Sequence, residues 1–154
     1  MEQQYFNGMK KIEILQREMT TAELDRMRQG FDEHTLANDV LVQTADRFSF
    51  TAVIEELFVG CCSGLAYKNG HQYSGWFYLT DLFVEKDFRS QGLGRQLLTT
   101  LEKELTSAGI KKLWVWTAGY EAPGFYQRIG YEVFAEMDDW YSDGSSRVGL
   151  MKKL

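Results

Sequence analysis

The sequence predicts an α+β fold in which a central mixed, mostly antiparallel sheet is flanked by helices. Three observations predict it. The run Trp76-Phe77-Tyr78-Leu79-Thr80-Asp81-Leu82-Phe83-Val84 is aromatic and β-branched, a composition that favours extended backbone. Leucines at 93, 97, 98, 101 and 105 then recur at the spacing of one helix face. Strand patterns precede and follow that helix, with hairpins at both ends of the chain, and this order gives a mixed sheet.

In chain order, the alternation of Ile12 and Ile14 predicts a first strand over residues 11–19. Thr20 followed three residues later by Glu23 reads as a capping box that opens a helix. Leu24, Met27, Phe31 and Leu36 supply its apolar face, and Gly30 in the middle leaves room for one helix or two shorter ones. Residues 48–55 and 57–67 form a hairpin around Glu55 and Glu56. Lys68-Asn69-Gly70 is a turn signal, and residues 73–84 make the long strand. The helix from 92 to about 108 stops where Gly109 suits a left-handed cap. A strand over 112–116 follows, then a short helix over 123–129, since proline is tolerated in a first helical turn. Residues 131–136 and 147–152 close the chain as a strand pair.

The 154 residues are expected to form a single domain, 1–154, with a core that needs no staples. Hydrophobic content of 44% and charged content of 25% are those of an ordinary globular chain. A net charge of −5 argues against nucleic-acid or anionic-membrane partners, which need a basic face, and is compatible with a cationic amine. Cys61 and Cys62 are neighbours in an apolar strand, where side chains point to opposite faces, so no disulfide joins them. With His34 and His71 far apart, no metal spacing emerges. A reducing, cytoplasmic setting is expected: the start lacks a basic and then apolar leader, and no apolar run reaches the ~18 residues of a membrane span.

The chemistry concentrates in Arg89-Ser90-Gln91-Gly92-Leu93-Gly94-Arg95, between strand and helix. Free N–H groups at a helix start bind phosphate, and glycines at 92 and 94 remove side chains that would hold a pyrophosphate away. A dinucleotide fingerprint would need a third spaced glycine. A Walker-type loop would need Gly-Lys-Ser/Thr, but Gly94 is followed by Arg95 and Gln96. The remaining pattern, R-x-x-G-x-G, resembles the acyl-CoA signature of the GCN5-related N-acetyltransferase (GNAT) superfamily. Residues 122–132, from Ala122 through Phe125-Tyr126 to Gly130-Tyr131, resemble that family's A-x-x-F-Y-x-x-x-G-[FY] segment. With the closing strand pair, the resemblance covers roughly residues 55–154. Residues 1–54 match only in the order of elements.

The resemblance implies a GNAT-type acyl-CoA N-acyltransferase fold and transfer of acetyl from acetyl-CoA to a primary amine of a small molecule. It implies that amides of Gln91 to Arg95, with Ser90 in the loop and Arg89 and Arg95 as charged supplements, grip the cofactor. The pantetheine arm is expected along Leu82, Phe83 and Val84, where the family's sheet splays and a main-chain amide near Val84 polarises the thioester. Phe125 joins the cofactor contacts, and Tyr126 matches the tyrosine that many members use as general acid. The base is left open. Thr80-Asp81-Leu82-Phe83-Val84 resembles the L-E-D-F-F-V segment of polyamine acetyltransferases, with Thr80 at the glutamate position. Asp81, Tyr78 holding a water, Glu121, or Asp138 and Asp139 are alternatives, and strand alternation places Asp81 on the face opposite Thr80 and Tyr78. Seven positions before Tyr126, Gly119 replaces the family's frequent asparagine. Trp76, Tyr78, Tyr120, Trp140 and Tyr141 are candidate acceptor-pocket rings. A CoA-binding module without turnover, and a protein lysine acetyltransferase, are the competing readings; a homodimer is plausible.

Overall fold

The computed structural model describes residues 5–6 and 10–154. The chain divides into two compact units, Met1–Val40 and Leu41–Leu154. In the first, strands β1 (Tyr5–Phe6) and β2 (Lys10–Lys11) pair antiparallel, and helix α1 spans Thr21–Ala37. The predicted capping box is present. The Glu23 N–H donates to the Thr20 hydroxyl at 3.2 Å, and the Thr20 N–H donates to the Glu23 carboxylate at 2.8 Å. Arg17 grips both oxygens of that carboxylate; this contact first, and the Thr20 amide second, hold its pKa down to about 2. The helix runs unbroken through Gly30. A mid-helix glycine costs up to ~1 kcal/mol, which a good N-cap of similar worth offsets.

The strand expected over 11–19 does not form: β2 ends at Lys11, and residues 12–20 have no regular structure. Alternation specifies a strand only where one face is buried, and Ile12 and Ile14 are 56% and 95% exposed. On α1, Met27, Phe31 and Leu36 are exposed.

The second unit is a six-stranded sheet. Its hairpin comprises β3 (Gln43–Ile54) and β4 (Leu57–Asn69), turning through Glu55 and Glu56, both at positive φ. There follow β5 (Gln72–Val84), a single 3₁₀ turn at Lys86–Phe88, α2 (Leu93–Ser107), β6 (Lys112–Ala118), α3 (Pro123–Arg128), β7 (Glu132–Met137) and β8 (Arg147–Lys153). The strand order is β3-β4-β5-β6-β8-β7, with only β5 and β6 parallel. That one parallel pair requires a crossover, and α2 provides it.

Leu97, Leu98, Leu101 and Leu105 of α2 are buried with Phe77 and Leu79 of β5, Leu113 and Val115 of β6, and Leu150 of β8. Each such side chain contributes about 1.5–3 kcal/mol by leaving water. Cys62 lies in this core and Cys61 on the other face, both free thiols as the alternation requires.

Two irregularities in β5 position the site. Its pairing with β6 covers only residues 76–79 against 112–115. Beyond that, β5 stays with β4 as far as the Val84–Gly60 pair while β6 stays with β8, so the sheet splits. The second is a β-bulge: Ser63 opposes Asp81 and Gly64 opposes Leu79, which leaves Thr80 without a partner.

Candidate functional site

At the split, the hydrogen-bond alternation of β4 and β5 decides which main-chain groups are free. The Glu85 N–H donates to the Val59 carbonyl at 2.9 Å, making these two a hydrogen-bonded pair. In an antiparallel ladder such pairs alternate with pairs whose N–H and C=O point outward. In this register the outward pairs are Val84 with Gly60 and Leu82 with Cys62. Leu82 and Val84 therefore direct their amides and carbonyls into the gap left by β6. The Val84 carbonyl is taken by the Arg89 side chain at 2.9 Å, and its amide remains available.

Below the gap lies the start of α2. Gly92 is its N-cap, at φ 83°, and carries no side chain to cap the helix. Ser90 also has positive φ, 60°, which is uncommon for a residue with a Cβ. The first intrahelical bond runs from the Gln96 N–H to the Gly92 carbonyl. The N–H groups of Leu93, Gly94 and Arg95 thus have no helical partner. The first turn contains no acidic residue, although the helix dipole favours one there. Arg95 occupies it instead. A helix start with bare amides and an added cation is built for an external anion.

These residues share one cleft of about 630 Å³. Leu82, Val84, Arg89, Ser90, Gly92, Leu93, Gly94, Arg95 and Phe125, all expected from sequence, line it. Three arginines, 89, 95 and 128, face it, with no carboxylate among the lining residues. None of the three is in an ion pair among the described residues. A positive cleft in a chain of net charge −5 is a local device, and it suits a multiply charged phosphate ligand.

Two expected cofactor residues do not line the cleft with their side chains. Phe83 alternates to the opposite face and stacks on Phe58 at 6.1 Å, and its main chain belongs to a ladder pair with Cys61. The Gln91 side chain donates to the Asp87 carbonyl at 3.1 Å and braces the loop. Four lining residues were not anticipated: Phe88, Ala122, Arg128 and Ile129. Arg128 was detectable in principle, since it lies three residues after Phe125 on the same helix face. A Cβ at Gly94 would meet Phe125 and Val84 at an ordinary 3.7 Å, so the fold itself has room for a side chain there, whereas the positive φ of Gly92 favours glycine.

Tyr126 is 5% exposed, with ring neighbours Phe125 at 5.2 Å and Tyr131 at 5.3 Å, and it is not among the cleft-lining side chains. Burial first, then the charge of Glu121, pushes its phenol well above the ordinary value and keeps it protonated. Asp81 lies beside Thr80, whose hydroxyl is 2.7 Å from the Asp81 carboxylate and 3.0 Å from the Ser63 carbonyl. The expected separation of Asp81 from Thr80 fails because the bulge resets the alternation. Tyr78 is stacked on Trp114 at 4.0 Å, on the face away from α2. Tyr120 meets Tyr141 edge-on at 5.2 Å, and Trp140 lies under Arg147. Gly119 has a steric reason: a Cβ there would come within 3.0 Å of the Ser146 carbonyl. Among the described residues no His/Cys/Asp/Glu group could hold a metal, and no helix is long and apolar enough to cross a membrane.

Residues 45–133 match the Acetyltransferase (GNAT) domain family. A blasticidin-S acetyltransferase of Streptomyces morookaense is 35% identical over 86 residues, which are 55% of this chain and 62% of that protein. The match therefore spans about three fifths of that relative. A solved acetyltransferase from Bacillus cereus superposes with TM-score 0.75 at 21% identity, covering 92% of this chain and 98% of that one. An aminoglycoside 6′-N-acetyltransferase in complex with coenzyme A gives TM-score 0.57 at 21% identity, over 70% and 72%.

Proposed function

The chain belongs to the GNAT acetyltransferase family, and from that premise we propose that it transfers the acetyl group of acetyl-CoA to a primary amine on a small molecule. One observation carries the reading. Three unpartnered amides, at Leu93, Gly94 and Arg95, open into a cleft with three arginines that are in no ion pair among the described residues, beside the outward main chain of Leu82 and the Val84 amide.

Acetyl-CoA supplies an activated acyl thioester. The amides of residues 93–95 and the arginine side chains bind its diphosphate. Leu82 offers ladder-like hydrogen bonds to the amide-containing arm, and the Val84 N–H is the donor at hand for a developing oxyanion. As the new N–C bond forms and the C–S bond breaks, the amine gives up a proton and the thiolate gains one. Tyr126, kept protonated by burial, is the proposed donor to sulfur. Asp81, at the mouth of the split, and Tyr78 through a water are the candidates for receiving the amine proton.

A second reading, a CoA-binding module without turnover, is favoured by Thr80 standing where polyamine acetyltransferases carry glutamate. Calorimetry with acetyl-CoA and thiol release across a panel of amines separate the two. Heat on binding that is lost in Gly92→Glu, together with thiol release for at least one amine, supports transfer. Heat without release from any amine favours the module, and no heat removes both. Tyr126→Phe is expected to lower turnover by about 10²–10⁴-fold with CoA affinity nearly unchanged; unaltered turnover removes Tyr126 as the acid.

A further inference from the structure

We propose that the face of the sheet away from α2 recognises the acceptor, and that the acceptor is an aromatic α-amino acid whose ring packs on Trp114 and Trp116 while its carboxylate is held by Arg147. The inference rests on the acetyl-transfer reading above and names its acceptor by class.

A groove of about 510 Å³ runs along this face, walled by Trp76, Trp114, Trp116 and Phe134. Gln43, Ser74 and Tyr67 are its polar residues, and no carboxylate contributes. A polyamine would leave its charges unmatched there, whereas a flat ring would bury against flat rings. The wall is preorganised: Trp114 is stacked on Tyr78 and meets Trp116 edge-on at 6.5 Å, and Trp116 leans on Phe134 at 5.6 Å.

Charge selects the ligand's other end. The Arg147 guanidinium lies 5.2 Å from the ring centres of both Trp116 and Trp140. It is in no ion pair among the described residues, although Asp138 and Asp139 lie nearby in the chain. An arginine fixed by two rings and lacking a carboxylate presents its planar fork to one from outside. The second cation of this face, Lys112 over Trp76 at 4.8 Å, lies four residues down β6 from Trp116. At ~3.3 Å per strand residue that is about 13 Å away, too far to share one carboxylate.

Position ties this groove to the reaction. Val115 is the last β6 residue paired with β5, so Trp116 is the first one at the split. Arg147 is opposite Ala118, at the same end. A carboxylate on Arg147 therefore holds an adjacent amine at the mouth of the gap into which Leu82 and Val84 direct their main chain.

All four tryptophans of the chain lie on this face or against Arg147, so intrinsic fluorescence reads binding without turnover. Phenylalanine is expected to give a saturable change. Phenethylamine, which lacks only the carboxylate, should bind about tenfold more weakly, and spermidine should give none. Arg147→Gln should abolish the preference for phenylalanine over phenethylamine, and Arg147→Lys should restore part of it. In turnover, Arg147→Gln should raise the acceptor KM and leave acetyl-CoA binding heat unchanged. Equal binding of phenylalanine and phenethylamine, a preference for spermidine, or a preference that survives Arg147→Gln overturns the proposal. Acetyl-CoA heat with no response to phenylalanine overturns it while sparing acetyl transfer. A phenylalanine response without acetyl-CoA heat overturns acetyl transfer and leaves an amino-acid site.

Discussion

Alternate residues of the same two strands meet opposite fates. Phe77, Leu79, Leu113 and Val115 are between 0% and 4% exposed beneath α2. Trp76, Tyr78, Trp114 and Trp116, one position away on β5 and β6, remain partly open to solvent. One face of the sheet is aliphatic, closed and matched to the leucines of a helix. The other is aromatic, open and bordered by Lys112 and Arg147. Stability is concentrated on the first face. The second carries large rings whose burial is incomplete and whose mutual geometry is nevertheless regular, as expected of a surface that completes its contacts with a ligand.

The sharpest test of that contrast is a pair of truncations. Leu98 is wholly buried between α2 and the sheet, and Leu98→Ala should lower unfolding free energy by about 2–5 kcal/mol, read from urea melts. Trp114→Ala removes a much larger side chain from the open face and should still cost less, about 2 kcal/mol. A Trp114→Ala loss at or above that of Leu98→Ala would show that both faces sustain the fold, and would end the comparison.

Much of this division was legible in the sequence because it is written in local patterns. The leucine spacing of α2, the capping box at Thr20 and the tight hairpin each need only a few consecutive residues, and each is found where expected. Non-local features were not legible. The parting of β5 from β6 depends on how far two strands, joined through a fifteen-residue helix, remain in register. The bulge at Thr80 arises from pairing with Ser63 and Gly64, so strict alternation along β5 misplaced Asp81. Phe83 parts from Leu82 and Val84 for a related reason: its main chain faces β4 and its ring the far side. Arg128 reaches the cleft because α3 sets it one turn after Phe125, a placement that needs the helix and not the motif. The strand expected over 11–19 failed because hydrophobic alternation without a covering surface leaves its backbone no reason to extend.

The smallest effect distinguishing the two faces is a pH dependence. Cys62 faces the core at 0% exposure, and its thiol lies 3.4 Å from the Leu97 carbonyl, to which only the protonated form can donate. Burial, as the largest cause, pushes its pKa up to about 11. In the unfolded chain a thiol titrates near 8.5. The folded pKa is therefore the higher one, so the native state binds the proton more tightly. This contribution is fully present below about pH 8.5 and is lost as pH rises toward about 11. Tyr126 and Tyr131, also raised chiefly by burial, add losses of the same sign only above about pH 10, where unfolded phenols ionise. Between about pH 8.5 and 10 the fall, on the order of 1 kcal/mol, is assigned to Cys62. Urea melts across that window should show declining stability in the native sequence and a flatter profile in Cys62→Ala. Parallel profiles for the two proteins would mean that the thiol is not sealed beneath α2, and the closed face would then be more permeable to water than its burial indicates.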